Sequence, residues 1–267
     1  MWLAELGLLL RRVRIKALLG VLALVPIGVA VAVRVAGGGP DPGAGPRFLD
    51  QVSRNGVFAG LAALTVSVPF FLPLAIAVVA GDAVAGEANL GTLRYLLVRP
   101  YGRTRLLVAK GTAVAIFCLL AGLVVAVSGV LVGIVLFPVG PVTTLSGTTL
   151  PLASGILRIL GASLVVGASL LGLAAIGVFI STLTDVPVGA MAATAGVAVL
   201  SGVLDAVPPL AAIHPWLLTH WWLSFGDLLR APVLWNDILR NLGLQVVYVA
   251  VFATAAWARF SSKDVLA

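Results

Sequence analysis

The sequence predicts an all-α, polytopic integral membrane protein: six transmembrane helices preceded by an N-terminal interfacial amphipathic helix. Three observations carry this. Charged residues make up 10% of the chain, against about 25% in soluble domains, too few to cover a water-facing surface. Apolar residues make up 61% and mean hydropathy is +1.15. The apolar residues fall in long unbroken runs with basic residues at their ends, which is the pattern of membrane-crossing helices and not of an alternating barrel strand.

Residues 1–16 are read as the interfacial helix. Trp2, Leu3, Leu6, Leu9, Leu10 and Val13 share one helical face, with Glu5, Arg12 and Lys16 on the flank and Arg11 and Arg14 on the far side. Trp2 then sits at headgroup depth while Arg11 and Arg12 face anionic lipid. The remaining 17–267 form a six-span transmembrane domain. The first span is about Ala17 to Ala36, with Pro26 expected to kink it. GGGPDPGAGP at 37–46 is a loop. The second span is about Gly56 to Gly81, and Pro69 and Pro73 should bend or break it.

The third span is about Thr104 to Phe137, with Thr104 as N-cap. Residues 138–155, rich in Pro, Gly, Ser and Thr, form a loop. The fourth span is about Ile156 to Thr182. Thr184, Asp185 and Pro187 make a tight turn into the fifth, about Val188 to Leu204. A long outer segment, 205–237, leads to the sixth span, about Leu239 to Trp257. Trp216, Trp221 and Trp222 in that segment are expected at the outer headgroup level. Small-residue spacings Gly56/Gly60, Gly129/Gly133 and Ser163/Gly167 are read as ordinary helix-packing positions.

Orientation follows from the basic residues. With the N-terminus inside, eleven of the seventeen fall on the inner side (Arg11, Arg12, Arg14, Lys16, Arg94, Arg99, Arg103, Arg105, Lys110, Arg259 and Lys263) and six on the outer. Both termini and the 82–110 loop are therefore expected in the cytoplasm.

Several chemistries are excluded on the residues. The formal charge of +7 sits at span ends and not along a stripe, so nucleic acid is no partner. Cys118 is the single cysteine, which leaves neither a disulfide nor a thiolate cluster within one chain. No GxxxxGK[ST] occurs, and LSGTT at 145–149 falls on the outer side, away from nucleotide. His214 and His220 lie among prolines and tryptophans outside the spans and are read as satisfied interfacial histidines, neither catalytic nor metal-binding. Spans this poor in ionisable residues argue against an ion-coupled carrier. No catalytic residue, metal or cofactor is expected in the chain.

What remains is the polar stretch Gly81 to Gly111, which holds five of the basic residues and two acids between long apolar runs. Asp82 and Glu87 close the second span. Asn89 or Thr92 can cap a short helix through Val98, which Arg99-Pro100 ends and Tyr101-Gly102 turns. A short amphipathic helix lying across the inner surface suits the groove of a cytoplasmic partner.

The run E-x-x-x-G-T-L-R-x-L-L-x-R-P-x-x-R-x-x-L-x-x-A-K, from Glu87 to Lys110, resembles the inner loop of ABC exporter permeases of the ABC-2 family, and the layout of six spans with a long outer segment before the last resembles it too. The resemblance implies a coupling helix in 82–110 docking on an ATP-binding subunit, with Glu87, Gly91, Thr92, Arg94, Arg99, Pro100 and Arg103 at the contact. It implies re-entrant gate helices in 205–237, with Pro208, Pro215, Trp216, Trp221 and Trp222 as gate residues. It implies two cytoplasmic ATP-binding subunits carrying ATP and Mg, a second permease copy or a similar permease, and outward movement of a hydrophobic substrate across the plasma membrane. The alternatives are a structural or assembly membrane protein without transport, or an ion-coupled secondary transporter.

Overall fold

The computed structural model describes residues 13–35, 52–91 and 103–262, together with Gly7. Within them, eight α-helices account for the architecture: α1 (Val13–Val35), α2 (Phe58–Ser67), α3 (Phe71–Asn89), α4 (Arg103–Leu136), α5 (Leu152–Ser169), α6 (Leu171–Leu183), α7 (Pro187–Asp205) and α8 (Trp235–Ser262). Taking α5 and α6 as one interrupted rod over Leu152–Leu183, six of these units are long and apolar enough to cross a membrane. The chain is an all-α polytopic membrane protein.

Two helices form the centre. α4 carries α1, α2 and α5 on its sides, and α6 packs against α3, α7 and α8. One close crossing is built from glycine. Gly129 and Gly133 of α4 lie on Gly60 and Gly56 at the start of α2, so near that a Cβ on Gly129 would stand 2.6 Å from the Gly60 Cα. Only residues without a side chain let two helix backbones approach this far. Ser163 and Gly167 of α5 meet α4 in the same way, against Gly122 and Leu119. All three small-residue spacings are therefore spent on packing inside one chain.

Several boundaries differ from the sequence reading, each for a physical reason. Residues 13–16 belong to the same helix as the first span, so that helix begins before Ala17. The second span breaks at 68–70 into α2 and α3, as Pro69 requires: it has no N–H for the ladder. α3 runs on through Asp82 and Glu87 to Asn89, which closes this helix and does not open another. Thr104 lies within α4 and is not its N-cap.

The 138–155 loop contains a two-residue ladder, β1 (Val142–Thr143) with antiparallel β2 (Thr149–Leu150), and α5 starts at Leu152. Pro187 stands in the first turn of α7, where its missing N–H costs nothing. The preceding turn is held by Thr184 Oγ1, which accepts from the Val186 N–H at 3.1 Å.

The bundle has two ends. One gathers the termini of α3 and α4, the turn between α6 and α7, and the end of α8. The other gathers the hairpin, the start of α5 and the segment between α7 and α8. That segment is three short 3-10 turns, Pro208–Leu210, His214–Trp216 and Trp222–Leu229. The last packs against α5 and α8.

Candidate functional site

The two flanks of the polar elbow, 81–91 and 103–111, sit at the first end, and two features lock them. Gly91 has φ +66° and its N–H donates to the Ala88 carbonyl at 3.0 Å. This is the left-handed turn that ends helices, where a side chain is strained. It turns the chain out of α3. Four residues earlier on the same helix, Glu87 points inward. Its carboxylate meets the Lys110 ammonium of α4, Oε1 to Nζ 2.5 Å, with Glu87 8% and Lys110 6% exposed. Two charges this deep in an apolar bundle persist because each neutralises the other.

A second clamp lies one turn deeper. The Ser181 hydroxyl of α6 donates to the Gly81 carbonyl at 2.7 Å and accepts from the Val84 and Ala85 N–H groups at 3.0 and 2.8 Å. One buried oxygen thus reads the backbone of α3 directly, uses its full donor and acceptor capacity and ties α3 to α6. On the far side of the elbow, Arg103 Nη1 donates to the Ser261 carbonyl at 3.0 Å and Trp257 Nε1 donates to Thr104 Oγ1 at 3.0 Å. The start of α4 is therefore fastened to the end of α8. An apolar groove of roughly 600 Å³ runs along this face, between Thr104, Gly111, Ala174, Val178, Ala253 and Trp257.

Of the residues singled out for coupling, the structure places Glu87, Gly91 and Arg103 together at this end. Glu87 is turned into the bundle and Arg103 is part-exposed. Thr92, Arg94, Arg99 and Pro100 lie outside the described residues, as do Trp2, Arg11 and Arg12 of the interfacial helix.

The gate candidates lie at the opposite end. Pro208 and Pro215 are exposed in their 3-10 turns, and Trp216 is 71% exposed. Trp216 accepts on its carbonyl from the Tyr248 hydroxyl at 2.9 Å. Trp221 donates its Nε1 hydrogen to the Pro215 carbonyl at 3.1 Å, and the Arg240 guanidinium lies 5.6 Å from its ring centre. Trp222 corrects the sequence reading. It is 3% exposed and packed in the core with Leu218, Phe225 and Leu229, so it is no headgroup anchor. A 3-10 turn with Trp222, Phe225, Leu228 and Leu229 on one side buries that side against α5 and α8.

Arg158 of α5 holds this turn, its Nη1 donating to the Leu228 and Arg230 carbonyls at 3.1 and 2.9 Å. The hairpin is joined to it by the Leu145 N–H to the Leu229 carbonyl. Asn55 fastens the same end, its Nδ2 donating to the Gly140 and Pro141 carbonyls.

Sequence reasoning passed over one polar group inside the bundle. The α5–α6 rod breaks at Leu170, and the break is stitched by α8. Gln245 Oε1 accepts from the Gly172 N–H at 3.2 Å, and Asn241 Nδ2 donates to Ser169 Oγ at 2.6 Å. Gln245 Nε2 in turn donates to Asn241 Oδ1 at 3.3 Å. The signal was present as two amides four residues apart within an apolar span, which is i,i+4 spacing on one helix face.

Fold and site together define a polytopic helical membrane protein whose polar elbow is braced at both feet. The chain belongs to the family described as "Protein of unknown function (DUF2705)", which it matches over residues 42–208. It is also similar to a probable ABC transporter permease protein, NosY, of Pseudomonas aeruginosa. The two are 36% identical over 124 residues, 46% of this chain and 42% of that relative. The matched region thus spans under half of the relative's length.

Proposed function

We propose that this chain is the membrane permease subunit of an ATP-driven exporter of the ABC-2 type, powered by a separate ATP-binding subunit. The observation that carries the reading is the elbow: the motif from Glu87 to Lys110 has its first and last residues joined as a buried ion pair. The likeness to a probable ABC transporter permease supports it. An ion pair that joins the end of α3 to the first turns of α4 couples the two helices, so that force applied between them reaches both, as a motor acting on the membrane requires.

In this reading Arg94, Arg99 and Arg103 meet the ATP-binding subunit, with Gly91, Thr92 and Pro100 shaping the loop. Glu87 acts from behind as a positioning residue. Two ATP-binding subunits, carrying ATP and Mg, grip two elbows contributed by a pair of permeases. Both termini lie in the cytoplasm and the protein sits in the plasma membrane. The segment with Pro208, Pro215, Trp216, Trp221 and Trp222 closes the outer mouth. The groove between α4, α6 and α8 is apolar, which suits a hydrophobic substrate.

The test uses the full chain, purified gently from its own host and labelled with a photoreactive ATP analogue. A labelled second polypeptide that co-elutes with the wild type and is lost with Arg94→Glu/Arg99→Glu supports the assignment. A wild-type preparation that moves substrate with no ATP-binding partner, or a partner that stays bound to the charge-reversed elbow, overturns it.

A further inference from the structure

Asp205, His214 and His220 stand at the end of the bundle opposite the elbow, and nothing in the transport reading uses them. Asp205 is the last residue of α7. Helix carbonyls accumulate partial negative charge there, so a carboxylate is disfavoured unless a cation accompanies it. The chain then folds back twice and returns both of its histidines to that carboxylate. His220 Nδ1 lies 2.6 Å from Asp205 Oδ1, and His214 Nδ1 lies 3.9 Å from the same oxygen. One donor atom from each residue falls within 4.8 Å of the other two. All three side chains are part-buried, with some of their surface open.

The surroundings of His214 fix which nitrogen faces the group. Its Nε2 is 3.2 Å from the Val207 carbonyl oxygen. A carbonyl only accepts, so Nε2 carries the hydrogen, and in the neutral ring Nδ1 presents a lone pair. That lone pair faces a carboxylate oxygen across 3.9 Å, less than twice the bond of about 2.0–2.2 Å that imidazole and carboxylate form with zinc. A backbone carbonyl holding the far ring nitrogen is also how metal-bound histidines are commonly oriented. His220 is steadied on its other side by the edge of Trp221, ring centres 4.6 Å apart and 84° between planes.

We propose that Asp205, His214 and His220 bind a divalent transition-metal ion, Zn²⁺ or Cu²⁺, through one carboxylate oxygen and two imidazole Nδ1 atoms. Two imidazoles select such an ion over Mg²⁺ or Ca²⁺, which take oxygen donors. Binding replaces the His220–Asp205 hydrogen bond, and the His220 Nδ1 proton passes by way of water to the ring's far nitrogen. The ion ties the segment after α7 to the helix end, leaving coordination positions for water. The sequence reading takes both histidines as satisfied interfacial residues; what brings them to the carboxylate is tertiary, a helix end meeting two separate turns. The proposal stands on these side chains alone and holds whether or not the chain is a permease.

The test takes the tag-free full chain in detergent, stripped with chelator, and titrates it with Zn²⁺ by calorimetry. One ion per chain is expected, with affinity falling roughly tenfold or more for Asp205→Asn, for His214→Gln and for His220→Gln. Wild type that binds no more tightly than His214→Gln/His220→Gln overturns the site. Electron paramagnetic resonance of the Cu²⁺-loaded wild type needs no variant. Two imidazole nitrogens on copper are expected, and a spectrum without nitrogen coupling overturns the assignment even where a variant fails to fold.

Discussion

Glu87 and Lys110 meet inside the helix bundle, Nζ 2.5 Å from Oε1, and they bound the polar run that leaves α3 and enters α4. The pair explains why the run begins with an acid and ends with a base. The two feet of the elbow are held by opposite charges buried among apolar side chains. The Ser181 hydroxyl on the α3 backbone repeats the arrangement one turn deeper with neutral groups.

Single removals of this pair should be far worse than its joint replacement. Leaving one buried charge alone costs about 3–5 kcal/mol, whereas a well-packed apolar substitute for both is close to neutral. Lys110→Met and Glu87→Leu should each lower the thermal unfolding midpoint in detergent, followed by tryptophan fluorescence. The double substitution should recover most of the loss. A double variant no better than the worse single would mean that the two groups are not energetically coupled.

Ser181→Ala should loosen the elbow without unfolding the protein. It removes the hydroxyl that bridges the Gly81 carbonyl and the Val84 and Ala85 N–H groups, a loss of about 1–3 kcal/mol where backbone groups are left under-satisfied. Amide exchange over residues 81–89 should quicken while exchange in α4 around Gly129 stays slow. Uniform acceleration across both helices would show that Ser181 serves general stability and not the α3 end.

Much of this was legible beforehand, and the limits are physical. Six spans, the break at Pro69 and the packing role of Gly60 and Gly129 follow from local rules: length of apolar run, a missing N–H, and an absent side chain. What pairs with what does not follow from local rules. Glu87 and Lys110 were both visible as charged residues at span ends, where lipid phosphate or a partner protein explains them as well as an ion pair does. By composition Trp222 belongs at headgroup depth, where tryptophans beside a span end usually sit. Its burial depends on a 3-10 turn folding its neighbours Phe225 and Leu229 onto α5, a tertiary fact. Asn241 and Gln245 lay in plain view within an apolar run, but their function depends on a helix break in a different span.

That break supplies a further prediction. Gln245 Oε1 accepts from the Gly172 N–H where the α5–α6 rod is interrupted. Gln245→Leu keeps the volume and removes the acceptor, which leaves a buried N–H unpaired at a cost of about 1–3 kcal/mol. Gln245→Glu keeps an acceptor but buries a charge. Both should lower the unfolding midpoint, and Asn241→Leu should do likewise by removing the amide that donates to the Ser169 hydroxyl. An unchanged midpoint for Gln245→Leu would show that the rod closes its own ladder at Leu170.

The crossing of α2 and α4 offers the sharpest contrast between a glycine that must stay and one that need not. A Cβ on Gly133 would overlap the carbonyl oxygen of Gly56, a backbone atom that can retreat only if the helices separate. Gly196 of α7 is also inside a helix, and a Cβ there meets nothing within 4 Å. Gly133→Ala should therefore destabilise by about 1–3 kcal/mol or more, the usual cost of overpacking a tight core. Gly196→Ala should be neutral or stabilising by up to about 1 kcal/mol, since alanine favours the helix. Side-by-side unfolding in the same detergent decides it. The Asn55 bonds to Gly140 and Pro141 lie just beyond this crossing, so Gly133→Ala should also expose the 138–150 hairpin to protease, while Gly196→Ala should leave that cleavage unchanged.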